Sequence, residues 1–413
     1  MPGERKKKGS IMGKKLRIGI VGTGNRGTGC FGKLLAKRDD VTLAAFCDPN
    51  AVRMRAASQY IGGISPNFYT SMEEMGKKES LDGVVITSPD ACHYECAMKA
   101  LDHNWNILID KPLATNVKEG KEIIEKAEKS NKTVMIGFNL RHHAVIKRLK
   151  KIIDEGVLGK VFLAENREFY NAGRTYMARW NRFYSMTGGL WIHKGSHDFD
   201  VFNFLLGFPK PLRIASFAAV NVLTEAKLPF ERVKGIEPGP DCNSCHYQSI
   251  CKDKWVLSEK HLGMWGKEAV KEDSYIKNSC IYMTEKDTHD NGLCILEYEN
   301  NIKVSLFESF IGSKSDRLYT INGDKGIAEA SLAERRITIT PRWGGEITSI
   351  ILPEETGGHG GADPDLVDTF CKVLKGEKAS TTTAEHGLLA TAMGQAAEMS
   401  RREKRMVNIE EIL

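Results

Sequence analysis

The sequence predicts a chain in two parts. The first is an α/β, doubly wound parallel sheet, and the second is an α+β domain with a large, mainly antiparallel open sheet. Three observations carry this. Residues 16 to about 137 alternate short apolar strands with helical segments of about a dozen residues. A glycine loop, Gly22-x-Gly24-x-x-Gly27, follows the first strand directly. Beyond about residue 160, long β-like segments dominate.

Each element has a local reason. "LRIGIVG" is an apolar strand ending in glycine, and "GCFGKLLAKRD" has helical spacing. "TLAAFCDPN" is a strand stopped by Asp-Pro-Asn, "AVRMRAASQY" a helix, and "GVVITSPD" a strand closed by a turn. "HYECAMKALDHN" is helical, "WNILIDKPLA" a strand, "VKEGKEIIEKAEKS" an amphipathic helix and "KTVMIGFN" a strand. "HHAVIKRLKKIIDEG" is a helix ended by glycine. From "KVFLAENREF" onward come "RIASFAAVNVL", "GLCILEYENNIKVSLFESF", "RLYTING", "GIAEASL", "RRITITP" and "EITSIIL". "EYENNIKVSL" reads as a hairpin. The chain closes with helices expected over Asp363 to Lys375 and Thr383 to Lys404. The expected divisions are a basic tail over 1–14, a nucleotide-binding domain over 15–138 and a second domain over 139–413.

Composition bounds the function. A chain of 413 residues with 41% hydrophobic and 27% charged content is globular and long enough for two domains. The net charge of +6 sits partly in "MPGERKKKGSIMGKK". No basic, aromatic-interleaved motif accompanies it, so nucleic-acid binding is not expected. No apolar run reaches transmembrane length, and the basic start leads into a strand rather than a signal-peptide core. A cytoplasmic protein with reduced thiols is the expectation, since ten cysteines in this length is not disulfide-scaffold density.

The glycine loop has a chemical reading. Gly22 makes the tight turn, Gly24 lets backbone approach a pyrophosphate, and Gly27 lets helix and strand pack closely. The helix N-terminus behind the loop attracts phosphate charge. Asp48 ends the second strand, 26 residues after Gly22, where an acid bonds the adenosine ribose hydroxyls. That acid favours NAD over NADP, with Arg53 and Arg55 softening the preference. A ligand in such a sheet lies outside the carboxyl ends of the strands. Asp110-Lys111-Pro112 lies at one of those ends, and Pro112 is a candidate cis proline.

Taken together, these features resemble the glucose–fructose oxidoreductase/inositol dehydrogenase (Gfo/Idh/MocA) family. The resemblance runs from Leu16 to Leu413. It rests on the glycine loop, Thr87-Ser88-Pro89-Asp90-x-x-His93, the Lys-Pro dipeptide, "GFNLRHH", "TGGLWIHKGSHDFDVFNFLLG" and "AEHGLLATAMGQAAEMSRREKRMVNI". It implies a Rossmann domain and an NAD-dependent oxidoreductase acting on CH–OH groups. Lys111 then lies beside the nicotinamide and contacts the reacting hydroxyl. Gly22, Gly24, Asn25, Arg26, Gly27, Asp48, Ser88, Pro89, His93, Asp110, Lys111 and Asn139 form the implied cofactor site. Two positions depart from the family pattern: Asp110 replaces the usual Glu, and Asp90 stands where Asn is commoner.

Family members commonly carry an Asp and, four residues later, a His that moves the substrate proton. Here His193 stands at the Asp position and His197 at the His position. A neutral imidazole accepts a hydroxyl proton near neutral pH, and a nearby ammonium stabilises the developing alkoxide. His197 is the expected acid/base, with Lys111 and His193 as its catalytic companions and Asp200 as a candidate orienting group. A metal pair and a purely structural pair are the competing readings of the two histidines. Lys194, Tyr170, Arg141 and His359 are candidate substrate contacts.

Cys242-x2-Cys245-x5-Cys251, followed by Cys280, suits a structural zinc site ahead of an iron–sulfur cluster. It marks an insert at about 240–282 in the second domain, which resembles inserts in one subset of the family. The expected substrate is a sugar, sugar acid, polyol or glycoside oxidised at a secondary hydroxyl. The alternatives are an oxidation–elimination glycosidase that holds NAD, with Tyr170, His193 or Tyr176 abstracting a C–H proton, and a non-enzymatic NAD-sensing protein. A homodimer or homotetramer through the second sheet is implied by the resemblance.

Overall fold

The computed structural model describes residues 14–171 and 173–413. The expected tail over 1–14 lies outside them apart from its last residue. Six strands build the first sheet: β1 (Leu16–Val21), β2 (Val41–Cys47), β3 (Asn67–Tyr69), β4 (Gly83–Ile86), β5 (Asn106–Ile109) and β6 (Val134–Ile136). All pairings are parallel, in the order β3-β2-β1-β4-β5-β6. The order reverses at β1 and β4, so a crevice opens beyond their carboxyl ends. Strands buried on both faces read as unbroken apolar runs, as Ile107, Leu108 and Ile109 do in β5.

Nine strands build the second sheet: β7 (Val161–Phe169), β8 (Pro211–Ala219), β9 (Asn291–Tyr298), β10 (Ile302–Ser309), β11 (Asp316–Gly323), β12 (Gly326–Ser331), β13 (Arg336–Pro341), β14 (Thr348–Ile351) and β15 (Val407–Asn408). Their order is β14-β13-β12-β11-β7-β10-β9-β8-β15. The expected hairpin joins β9 and β10 through Glu299–Asn301. One pairing is parallel, β7 against β10, so the sheet is mixed.

Alternation sorts this sheet's faces. In β9, Cys294, Leu296 and Tyr298 point into the core, while Leu293 and Ile295 point out. The inner face packs on the helix Gly195–Leu206, through Phe199, Phe202 and Leu205. The outer face leaves Phe217, Leu293 and Ile295 exposed side by side across β8 and β9.

The last third of the chain returns to the first sheet. Helix Ala362–Leu374 places Leu366, Val367 and Phe370 against Ile18, Val85 and Leu108. Helix Ala384–Glu403 runs between the sheets and lends Ala384 and Ala390 to the first core and Met393, Ala396 and Ala397 to the second. The insert crosses over as well: Leu257, Met264 and Trp265 pack on Ile20, Phe46, Met54 and Ala57.

Candidate functional site

The glycine loop closes tightly on its protein side. Gly22 has φ +88°, and a Cβ there would lie 2.6 Å from the Ser88 nitrogen. A Cβ on Gly27 would lie 2.1 Å from the Gly22 carbonyl oxygen and 2.6 Å from Thr87 Oγ1. That hydroxyl donates to the same carbonyl at 2.6 Å, tying the end of β4 to the loop. A Cβ on Gly24 would meet nothing within 4 Å, so this side of the loop is open to a ligand. The chain then enters a helical segment at Asn25.

Asp48 is buried at the end of β2. Its Oδ2 accepts from the Thr23 nitrogen at 2.8 Å and the Thr23 hydroxyl at 3.0 Å, and its Oδ1 accepts from the Asn50 nitrogen at 2.9 Å. Arg53 reaches Oδ1 at a long 3.4 Å but bonds Asp273 at 2.6 Å. Arg53 is therefore neutralised within the protein, which counts against its serving a 2′-phosphate. Open backbone at Gly24, an acid at the end of β2 and a helix start together fit a dinucleotide.

Lys111 lies two residues past the end of β5, joined to Pro112 by a cis peptide. Its Nζ donates to the His193 carbonyl oxygen in a short bond. Burial pushes its pKa down to about 8, against the pull of Asp90 and Asp110. His193 is held on both sides: Nδ1 lies 2.6 Å from Asp90 Oδ2, and Nε2 lies 2.9 Å from Asn181 Nδ2. Tyr176 and Trp180 meet the same ring edge-on. Burial pushes Asp90 well up and, aided by the Lys111 charge, His193 well down, so in this pocket both tend to the neutral form. Two of the three departures from the family pattern are thus bonded to each other: the acid at position 90 partners the histidine at position 193.

His197 lies one helical turn on, with 8% of its surface exposed. Its Nδ1 is buried and has no hydrogen-bond partner among the described residues. Burial, then the charges of Lys111, Arg317 and Lys194, push its pKa well down. Asp200 does not orient it, because Arg141 claims that carboxylate at 2.8 and 2.5 Å. Arg141 also donates to the Thr381 carbonyl at 2.7 Å. Both members of the pair are buried, so Arg141, expected at the substrate, instead joins the helix Gly195–Leu206 to the segment before the last helix.

Lys194 bonds Glu168 at 2.8 Å and lies 4.3 Å from the centre of the Tyr170 ring. Arg317 bonds Glu168 at 2.9 Å and Asp198 at 2.8 Å. Burial opposes the Glu168 charge, but Arg317 and Lys194 hold its pKa down. Burial raises Asp198 to about 6 against the pull of Arg317. Glu168, Tyr170 and Arg317 line a cavity of about 490 Å³ together with His143 and His359.

Other expected cofactor residues serve as braces. His93 is 1% exposed, with its ring nitrogens 2.7 Å from the Pro112 carbonyl and 3.1 Å from the Ser88 carbonyl. It joins the turns after β4 and β5 instead of presenting a free face to a cofactor. Pro89 opens the turn that carries Asp90, and Ser88 Oγ lies 3.8 Å from Cys96 Sγ. Asn139 donates to Asp363 at 2.8 Å, and Arg26 bonds Asp110 at 3.0 Å and Asp363 at 3.3 Å. His359 bonds Asp363 at 2.8 Å. Asp363 is therefore a hub joining the glycine loop, Asn139 and the "GGHGG" loop. The sequence singled out His359 in that loop, and Asp363 only as the start of a helix. Asn181, Glu168 and Arg317 were also missed, since each acquires its meaning only from a tertiary partner.

The four insert cysteines are free thiols in one neighbourhood. The Cys242 thiol is pushed up by burial and, to a lesser degree, by Cys280, Cys251 and Cys245. Among the described residues, however, no three His, Cys, Asp or Glu side chains are arranged to hold a metal ion. The metal-pair reading of His193 and His197 fails on the same count, since His193 is held by Asp90 and Asn181. No described helix is long and apolar enough to cross a membrane.

Comparison with known proteins agrees with this architecture. Residues 16–138 match the family model for the NAD-binding Rossmann fold of the Gfo/Idh/MocA oxidoreductases, and residues 150–409 match their C-terminal alpha/beta domain. YteT of Bacillus subtilis, an oxidoreductase by name, is 26% identical over 377 residues, 83% of this chain and 84% of that one. Myo-inositol 2-dehydrogenase of Thermotoga maritima is 22% identical over 413 residues, 96% of this chain and all of the relative. In fold, the chain is similar to the WlbA dehydrogenase of Bordetella pertussis, solved with NADH and UDP-GlcNAcA. The TM-score is 0.70 at 18% identity, over 96% of this chain and 99% of that one. With both family models matched in tandem, the chain belongs to the Gfo/Idh/MocA family of NAD-binding oxidoreductases.

Proposed function

We propose that this oxidoreductase oxidises a secondary hydroxyl of a sugar, sugar acid, polyol or glycoside, with residues 15–138 holding NAD and residues 139–413 holding the substrate. The observation that carries the reading is His197: a buried imidazole whose Nδ1 is unpartnered, beside the Lys111 charge. NAD, when bound at the glycine loop, supplies a nicotinamide that accepts the hydride. The Lys111 ammonium donates to the substrate oxygen and stabilises it as its proton leaves. His197, held neutral by burial, accepts that proton at Nε2, the ring nitrogen that the protein does not seal off. The Asp90–His193 pair and Lys194 hold neighbouring hydroxyls or an anionic group, and the cavity between Tyr170, Arg317 and His359 takes the rest of the substrate. Names of relatives support this substrate class: myo-inositol 2-dehydrogenase in Thermotoga maritima and D-glucoside 3-dehydrogenase in Escherichia coli.

A second reading is oxidation, elimination of the aglycone and re-reduction with retained NAD. The histidine at position 193 favours it, since its ring lies beside Lys111 and would serve as a second base once Nε2 is released from Asn181. Stoichiometry over a panel of sugars and glycosides separates the two. Net NADH supports the dehydrogenase, and glycoside cleavage without net NADH supports elimination. Turnover of neither overturns both.

Two finer points belong to the same reading. Four neighbouring thiols, two in a Cys-x2-Cys step, are the donor set of a structural tetrahedral zinc ion, which would have to draw them closer than they stand. About one zinc per purified chain is expected by elemental analysis, while iron or a metal-free folded chain refutes it. The exposed Phe217, Leu293 and Ile295 support pairing of copies through the outer face of the second sheet.

A further inference from the structure

The insert adds no strand to the second sheet. It lies instead against β1, β2 and the helix Ala51–Ile61, which flank the cofactor crevice. Asn50, two residues past Asp48, donates to the Ala269 carbonyl at 2.8 Å and to Asp273 at 3.0 Å. Arg53 bonds Asp273 at 2.6 Å. Trp265, Met264 and Leu257 bury apolar surface against Ile20, Phe46 and Met54.

At the edge of this contact stands Lys277. It is 3% exposed, and its Nζ donates to Asn25 Oδ1 at 2.8 Å. Asn25 is the first residue of the helical segment after Gly24, the position where a dinucleotide pyrophosphate rests. The same Nζ lies 2.9 Å from the centre of the Trp265 ring and 5.8 Å from that of Trp255. Its charged neighbours are Arg179 and Arg53, the latter paired with Asp273, and no carboxylate pairs with Lys277 itself among the described residues. Burial and those two cations push its pKa down to about 6. Held there without an anion, an ammonium is costly; a pyrophosphate beside Asn25 would supply the missing charge.

We infer that Lys277 is a cofactor-binding residue contributed by the insert, whose ammonium pairs with the pyrophosphate of the dinucleotide, so that the insert forms an outer wall of the cofactor site. This rests on the dinucleotide reading of the glycine loop. It assigns the insert a part in holding the cofactor, separate from any metal at its thiols.

The test is calorimetric titration of cofactor-stripped protein with NAD, ADP and adenosine, for wild type, Lys277→Met and Lys277→Arg. Methionine keeps the apolar contact with Trp265 and removes the charge. Loss of one charge-assisted phosphate contact predicts roughly 10- to 100-fold weaker NAD and ADP binding. Adenosine, which has no phosphate, changes by less than about twofold, and Lys277→Arg recovers most of the loss. Repeating the wild-type titration at pH 7 in buffers of different ionisation enthalpy gives a second readout. A group with pKa about 6 gains a proton when an anion binds it, so uptake approaching one proton per NAD is expected. The uptake disappears in Lys277→Met. Arg53 and Arg179 are the cations that face Lys277, and His261, which also feels the Lys277 charge, is checked by His261→Gln. NAD binding within twofold of wild type in a folded Lys277→Met, or equal loss for adenosine, overturns the inference and leaves the dinucleotide reading intact. Wild type that binds no NAD overturns both.

Discussion

The Lys111 ammonium should set the upper limit of activity in pH. Burial at the end of β5 lowers its pKa from 10.5 to about 8, a destabilisation of the charged form by roughly 3 kcal/mol. The mechanism needs the charged form, so the sign is fixed: kcat/KM for alcohol oxidation is full below the folded pKa and falls as pH rises through about 8. Two units above that midpoint, about one molecule in a hundred retains the ammonium, and kcat/KM should have dropped roughly 100-fold. A lysine of ordinary pKa would cost less than twofold at the same pH. Initial rates over a pH series with the best substrate of the panel measure this. In Lys111→Arg the guanidinium stays charged, so the falling limb at about 8 should vanish while the rate at neutral pH drops through altered geometry. Lys111→Met should lose roughly 100- to 1,000-fold at all pH values. A wild-type profile flat to pH 10, or a falling limb unchanged in Lys111→Arg, refutes the assignment.

Three other perturbations follow from the same geometry. In Gly27→Ala the new methyl meets the Gly22 carbonyl at 2.1 Å, and backbone cannot yield cheaply there. The variant should lose about 1–3 kcal/mol in denaturant melts and bind NAD more weakly, and wild-type values for both contradict the cradle. Asp90→Asn keeps the shape but removes the acid that faces His193 Nδ1 at 2.6 Å. It should cut kcat/KM about tenfold or more with NAD affinity unchanged, and weaker NAD binding instead would place Asp90 at the cofactor. Phe217→Lys puts a charge on the apolar outer face of the second sheet. It should shift sedimentation toward monomer without lowering the melting temperature of the isolated chain, and an unchanged species distribution argues for another interface.

Much of the fold was legible because it is written in local periodicity. The unbroken apolar strands, the alternation in β9 and β10 and the last two helices each follow from neighbours in sequence. The helices fall at Ala362–Leu374 and Ala384–Glu403, within a residue of expectation. What periodicity does not encode is pairing. β3, three residues long, has too few residues to alternate, and the parallel match of β7 with β10 joins strands separated by the whole insert. The site divides in the same way. Gly22, Asp48 and Lys111 could be singled out because they sit at fixed offsets from strand ends. Asp90 and His193 were each noticed as departures, but their 2.6 Å bond spans 103 positions. Asp363, which gathers Arg26, Asn139 and His359, had no local signal of that role. Arg141 and Asp200 misled because a lone arginine and an aspartate one turn from a histidine look functional until burial shows them paired with each other.

Hydride transfer from a substrate carbon is the central claim, and isotope transfer tests it most directly. A substrate carrying deuterium at the carbinol carbon is incubated with the protein and NAD, and the cofactor is recovered for mass spectrometry. Where oxidation is net, the account predicts deuterium at nicotinamide C4 of the accumulated NADH, and no label above background with Lys111→Met; re-reduction would return the deuterium to the product. Net substrate oxidation with the accumulated NADH left unlabelled would contradict it.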